Sequence, residues 1–358
     1  MRPLSGYFFE DYRVGQKFVH ATPRTITTGD VALYIGLTGA RHAAHCASTV
    51  AQALGYPATP IDDLLVFHIA FGKTVPDISW NAVANLGYAD TRFMAPVYAG
   101  DTLRCESEVI GLKQNSNGKT GVVYVRSMAF NQHNTMVLTW ARWVMVPKMP
   151  QTAIDVSADA VLPMLPKFVA TESISVPSFL QPDGLTSAVT GSTRFWDDYH
   201  VSEVINHPAG ITVDESDHTL ATKLYQNTAR VHFDLHHMKD SRFGRRLVYG
   251  GHVISVCRAL SFDGLENVIS IAAINGGSHN NPTFAGDTLY AKSVVLDKIP
   301  LRPDLGAIRV RMLGIKNVAP VEIDTNTSPL PDSVVLDLDY TVLLPRLSAD
   351  ANQTLEHA

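Results

Sequence analysis

The chain repeats itself. Glu10, Asp11, Tyr12, Val14 and His20 return as Asp197, Asp198, Tyr199, Val201 and His207, a displacement of 187 positions (199 − 12). Ala99, Gly100, Asp101, Thr102 and Leu103 return unchanged as Ala285, Gly286, Asp287, Thr288 and Leu289, displaced by 186. Each half then closes on an apolar stretch ended by a proline and a cation, at 144–148 and 342–346. There the displacement (346 − 148) is 198, so the second half carries about a dozen extra residues, which composition places in the proline-rich run 319–331. Landmarks that keep their order along a chain are the signature of a duplicated unit. Duplication restricts the fold severely, because any architecture drawn for one half must serve the other.

Within each half the same elements are expected in the same order. A leading segment (7–20 and 195–207) is followed by Thr27 to Asp30 or Thr212 to Asp214, whose side chains suit the N-cap of a helix. A histidine-bearing turn, a second helix and several strands come next. In the second half that helix begins at Gly251, and Val253, Ile254, Cys257 and Leu260 recur at helical spacing, predicting one buried face. Strands are predicted at 121–130, 137–146, 308–315 and 334–344. In the last of these Asp337 and Asp339 alternate with Leu336, Leu338 and Tyr340, as in a sheet with one wet face. A long helix with an antiparallel sheet, twice over, is an α+β fold. The expected boundaries are 1–147 for the first unit, 148–193 for an extended linker and 194–358 for the second unit. Pro150, Pro163, Pro166, Pro177 and Pro182 mark the linker.

Hydrophobic residues make up 46% of the chain and charged residues 18%, enough apolar surface for a sizeable core. A formal charge of −5 without a long Lys/Arg run argues against nucleic-acid or general membrane-surface binding. No 18-residue apolar run and no signal-peptide pattern occur, so a cytoplasmic location is expected. Cys46, Cys105 and Cys257 have no ligand or disulfide spacing and are expected to be buried small hydrophobes.

The most function-like stretch is 224–234, LYQNTARVHFD, followed by a basic loop that reaches Gly250 and Gly251. Asn227, Arg230 and His232 bring a carboxamide, a guanidinium and an imidazole within six residues. A lone histidine there would suit a structural turn, but a structural turn has no need of all three, and an unpaired buried arginine is costly. His232, Asp234 and His236 alternate, so on a strand they would share one face and could hold a metal. Against a metal, the first half keeps no comparable set. His45 stands at the position of His232 (232 − 187), whereas Ala40 and Ala43 replace Asn227 and Arg230. The halves have therefore specialised, and one active site per chain is expected, in the second half.

The spacing N-x-x-R-x-H-x-D at Asn227, Arg230, His232 and Asp234 resembles the hydratase signature of the MaoC-like double hot-dog dehydratases. The resemblance extends to HATPRTITTGDVALY from His20, PIDDLLVFHIAFGKTVPDIS from Pro60, IGLKQNSNGKTGVVYV from Ile110, RFGRRLVYGGHVIS from Arg242 and NPTFAGDTLYA from Asn281. It covers nearly the whole chain, least well the linker and 319–331. RHAAHCAS from Arg41 departs from the family pattern.

This resemblance implies a double hot-dog fold and a cofactor-free, metal-free lyase that adds water to an α,β-unsaturated acyl-CoA thioester. It implies a homodimer as well. Asn227 and His232 would handle the water, and the backbone N–H of Gly250 would face the thioester carbonyl. The family places an acid five residues before the histidine, Asp in most branches; an Asn there, which does not titrate, moves the proton chemistry onto His232. Asp234 or Glu215 would stand behind the imidazole. Arg230 would meet a free carboxylate on the acyl group, Gly251 would belong with the substrate-binding residues, and Arg245 or Arg246 would meet the phosphates of CoA. The same scaffold also serves acyl-CoA thioesterases and hydratases of other enoyl-CoAs.

Overall fold

The computed structural model describes residues 6–149 and 160–346. Its strands are β1 (Lys17–Val19), β2 (Arg24–Thr25), β3 (Ala84–Phe93), β4 (Thr102–Gln114), β5 (Thr120–Phe130) and β6 (Met136–Pro147). In the second half they are β7 (Val204–Thr212), β8 (Ser270–His279), β9 (Thr288–Arg302), β10 (Leu305–Lys316) and β11 (Val334–Pro345). Their order in one sheet is β1-β4-β5-β6-β3-β8-β11-β10-β9-β7, with β2 also on β4. The order reads as its own mirror under the repeat, β3 pairing with β8 antiparallel from Tyr88↔Gly277 to Arg92↔Ala273. The duplicated sequence has become a duplicated half-sheet, fused at its equivalent strands.

The repeated landmarks have physical causes. Gly100 and Gly286 take positive φ (103° and 93°), which side chains disfavour, and so turn the chain into β4 and β9. Asp101 and Asp287 accept from the amides of Tyr98 (2.8 Å) and Phe284 (2.9 Å), closing those turns. His20 and His207 are buried and bonded to Ser107 (2.7 Å) and Ser293 (2.8 Å) of the neighbouring strand. The extra residues also fall where composition put them: 131–135 joins β5 to β6, whereas 317–333 joins β10 to β11, a difference of twelve (17 − 5).

Two long helices fill the concave side, Asp63–Ile78 and Gly250–Leu260. The second was expected to bury one face, yet every residue from Gly251 to Leu260 is buried. Sheet on one side and segments of the first half on the other enclose it. One core cluster runs through both halves, joining Phe67, Phe71 and Trp140 to Ile254, Cys257 and Tyr340. On the outer face Arg309 and Arg311 pair diagonally with Asp339 and Asp337, which explains the wet alternation of β11. Pro150 of the expected linker lies outside the described residues. From residue 160 the chain crosses that outer face, with Val161 bridging Leu112, the Val169 amide on Asn275 (2.9 Å) and the Gln181 amide on Leu54 (2.9 Å). Cys105 and Cys257 are buried as expected; Cys46 is exposed, because the one-turn helix Ala43–Cys46 turns its last residue outward. No helix among the described residues is long and apolar enough to cross a membrane.

Candidate active site

The helix Glu215–Leu224 buries His218, Ala221, Thr222 and Leu224, and its end sets the entry to the site. Gln226 adopts φ 53°, which swings Asn227 inward until it is 2% exposed. The Asn227 side-chain oxygen accepts from the Ala229 amide (3.0 Å) and thereby fixes the carboxamide. The single-turn helix Arg230–Phe233 follows and carries His232. Its Nδ1 lies 2.9 Å from the Leu247 carbonyl. A carbonyl only accepts, so Nδ1 holds the proton and Nε2 keeps its lone pair. Burial of the ring pulls the His232 pKa down to about 4, opposed by the Leu247 bond. His232 is thus a neutral base at neutral pH.

Opposite stands the start of the helix Gly250–Leu260, whose first N–H groups have no partner within the helix and whose dipole favours negative charge there. A Cβ at Gly250 would lie 2.4 Å from His279 Nε2, so the helix start and the imidazole at the end of β8 approach only because this residue is glycine. His279 in turn meets the Tyr88 hydroxyl (3.2 Å). Asn227 also neighbours the Tyr249 hydroxyl, which no described group satisfies at hydrogen-bond distance. Burial raises that hydroxyl well above the ordinary tyrosine range.

Asn227, His232 and Gly250 line one cavity of about 270 Å³. Sequence reasoning placed the whole site in the second half, but Phe71, Val75, Tyr88 and Arg142 of the first half form the facing wall. Arg142 left a readable signal, a charge inside the otherwise apolar run 137–146. Tyr88 and His279 left none.

The remaining expected residues lie apart. Arg230 sits over the Trp80 ring (5.4 Å) and lines a neighbouring depression. Gly251 packs on His68, where a Cβ would come within 2.6 Å of Nδ1. Exposed Arg245 lies over Phe284 (4.0 Å), and Arg246 pairs with Glu215. Neither Asp234 nor Glu215 stands behind His232. Asp234 caps the next turn through the His237 amide (2.9 Å), Glu215 holds Arg246, and the Leu247 carbonyl takes the place expected for a carboxylate. The alternating face of His232, Asp234 and His236 does not exist either, since 230–233 and 235–238 are helical turns.

A duplicated antiparallel sheet with two long helices packed on it is the arrangement of the double hot-dog MaoC-like dehydratases. The chain superposes on a solved MaoC domain dehydratase from Chloroflexus aurantiacus with a TM-score of 0.93 and 53% identity, covering 97% of this chain and 100% of that one. A Mycobacterium tuberculosis protein with a double hotdog fold gives 0.77 at 26% identity, covering 96% of this chain and 100% of its own. In sequence, the β-methylmalyl-CoA dehydratase of Chloroflexus aurantiacus is 55% identical over 349 residues, 95% of this chain and 97% of that protein. The mesaconyl-CoA hydratase family profile matches residues 4–322. The chain belongs to the mesaconyl-CoA hydratase family.

Proposed function

We propose that this chain hydrates mesaconyl-CoA reversibly to 2-methylmalyl-CoA, with the chemistry in the cavity of Asn227, His232 and Gly250. The observation that carries the reading is the His232 ring, held neutral with Nδ1–H on the Leu247 carbonyl so that Nε2 is free to accept a proton. Water held beside Asn227 loses a proton to Nε2 while its oxygen bonds to the β-carbon of the enoyl thioester. The electron pair of the double bond moves toward the thioester, and the enolate oxygen is met by the Gly250 N–H. His232 then returns the proton to the α-carbon, so that one water is added in all. In the reverse direction the same groups remove it.

A cavity of about 270 Å³ suits a short acyl group, with the body of CoA outside. In this reading Arg245 is free to meet CoA phosphates, whereas Arg246 is engaged with Glu215 and Arg230 with Trp80. Residues 194–358 carry the reacting groups, and the enzyme works as a cytoplasmic homodimer. The test is loss of absorbance of the conjugated thioester when mesaconyl-CoA is mixed with the protein. His232→Ala is expected to lower kcat by about 10²–10⁴. Near-normal turnover in that variant, or release of free thiol instead of hydration, overturns the assignment.

A further inference from the structure

Among the groups lining the cavity that the hydration steps leave unused, Arg142 is the buried cation; the other lining arginine, Arg242, is exposed. It projects from the middle of β6, is 1% exposed, and lies over the Phe71 ring at 4.1 Å. Of its five donors, two bonds are made, both to neutral hydroxyls: Thr74 at 2.8 Å and Ser79 at 3.3 Å. Its Nε is buried without a partner, and among the described residues no carboxylate pairs with it. Burial lowers its pKa to about 10, so the charge persists at neutral pH. A buried cation without a counter-ion is costly, and neither hydroxyls nor a ring neutralise it. Among the described residues Arg142 has only neutral partners.

The other half of the duplication shows how such a pocket looks when it supplies its own anion. The repeat maps His232 to His45, Leu247 to Pro60 and Gly250 to Asp63 (each minus 187). The mapping holds in space, since His45 Nδ1 meets the Pro60 carbonyl at 3.2 Å as His232 Nδ1 meets that of Leu247 at 2.9 Å. At the place of Gly250 stands the Asp63 carboxylate, 3.7 Å from His45 Nε2 and bonded to the Ile271 amide at 2.7 Å. A buried arginine, Arg258, lines that small pocket with it. The pocket without an open helix start holds a carboxylate and a cation together. The open one has a buried cation from a different element, Arg142 of β6, the repeat counterpart of Arg258 being Phe71 (258 − 187), and has glycine where the carboxylate would be.

The geometry points to Arg142 as the receptor for a carboxylate on the acyl group, so that the cavity selects CoA monothioesters of dicarboxylic acids over those of monocarboxylic acids. The first half is then the specificity wall of a site whose reacting groups belong to the second. This deepens the proposed hydration of mesaconyl-CoA and rests on that reading for the direction in which the acyl chain enters.

Unreactive thioesters separate the two. Binding of succinyl-CoA and butyryl-CoA, measured by calorimetry, is expected to favour succinyl-CoA at least about tenfold in the wild-type protein, and Arg142→Gln is expected to erase that preference while leaving butyryl-CoA binding within about threefold. No preference in the wild type, a preference that survives in Arg142→Gln, or equal loss of both ligands overturns the proposal. Where Arg142→Gln does not fold, Arg142→Lys carries the test: it keeps the charge but not the fork, the preference is expected to fall, and an unchanged preference overturns the proposal. A wild-type preference lost in the variant, in a protein that does not hydrate mesaconyl-CoA, sinks the hydration reading and leaves the carboxylate subsite standing.

Discussion

Replacing Gly250 by alanine places one methyl group where His279 now lies. The new Cβ would stand 2.4 Å from Nε2, 2.5 Å from Cε1 and 2.9 Å from Cδ2 of that ring. Carbon contacts settle near about 3.5–4.0 Å, so the helix start or the ring must move by about 1 Å. The ring has little room to yield, being bonded to the Tyr88 hydroxyl (3.2 Å) and packed edge-on against Tyr88 at 5.8 Å between centroids. Overpacking of this kind costs about 1–3 kcal/mol, against which alanine in place of glycine in a helix contributes up to about 1 kcal/mol. The net loss is about 0–3 kcal/mol, below the usual stability of a folded domain. Catalysis responds on a different scale: a displaced oxyanion donor costs about 10²–10³ in kcat. Gly250→Ala is therefore expected to lose about 100-fold in mesaconyl-CoA hydration while its urea midpoint moves by less than about 1 M. Adding His279→Ala removes the obstacle and should restore part of the loss. Turnover within about twofold of wild type would refute the reasoning, and so would a loss matched by collapse of the urea midpoint.

Acid should destabilise the fold through its buried histidines. His68 is pulled down to about 3, and His207, His232, His252 and His279 to about 4, in each case chiefly by burial. Their folded pKa values lie below the unfolded value near 6.5, so the unfolded chain takes up more protons; stability is full above about pH 6.5 and is lost as pH falls from there toward about 4. The slope can reach about 1.4 kcal/mol per pH unit for each histidine, and urea melts that do not change down to about pH 5 would contradict it. The acid limb of kcat/KM should fall near pH 4, where His232 takes up its proton, and a limb at about pH 6.5 would argue against the neutral-base assignment. Cys46 is exposed, with its thiol raised to about 11, while buried Cys105 and Cys257 are raised to about 12. A maleimide should label Cys46 slowly and alone in the native protein, and all three cysteines in urea.

Much of the fold was legible because it is written in local patterns. The strands expected at 121–130 and 334–344 appear as Thr120–Phe130 and Val334–Pro345, since alternation in a half-buried sheet marks each residue by its own side chain. The Thr27 cap is real as well, its hydroxyl accepting from Asp30. Asn227 and His232 stood out because the second copy of the repeat kept polar groups that the first had lost, and Gly250 through the resemblance to the hydratase family; the structure brings the three to one cavity. Their support was not legible. A carboxylate behind His232 is a reasonable expectation, but a backbone carbonyl does the same work and every residue has one, so no residue type in the sequence advertises it. Arg230 lies only two residues from His232, yet a single helical turn carries the two in different directions, one to the cavity and one to Trp80.

By itself the sequence determined that the protein is a doubled α+β unit with an imidazole–carboxamide pair preserved in one copy. Repeats, periodicity and residue chemistry are properties of the chain. Only the tertiary structure decided that the cavity of Asn227, His232 and Gly250 is lined by both copies and that Arg142 lines it with no carboxylate partner among the described residues. The pairing of β3 with β8 and the His68–Ser255 bond (2.9 Å) between the two central helices join residues more than a hundred positions apart, and which charges then meet or fail to meet is fixed by that packing.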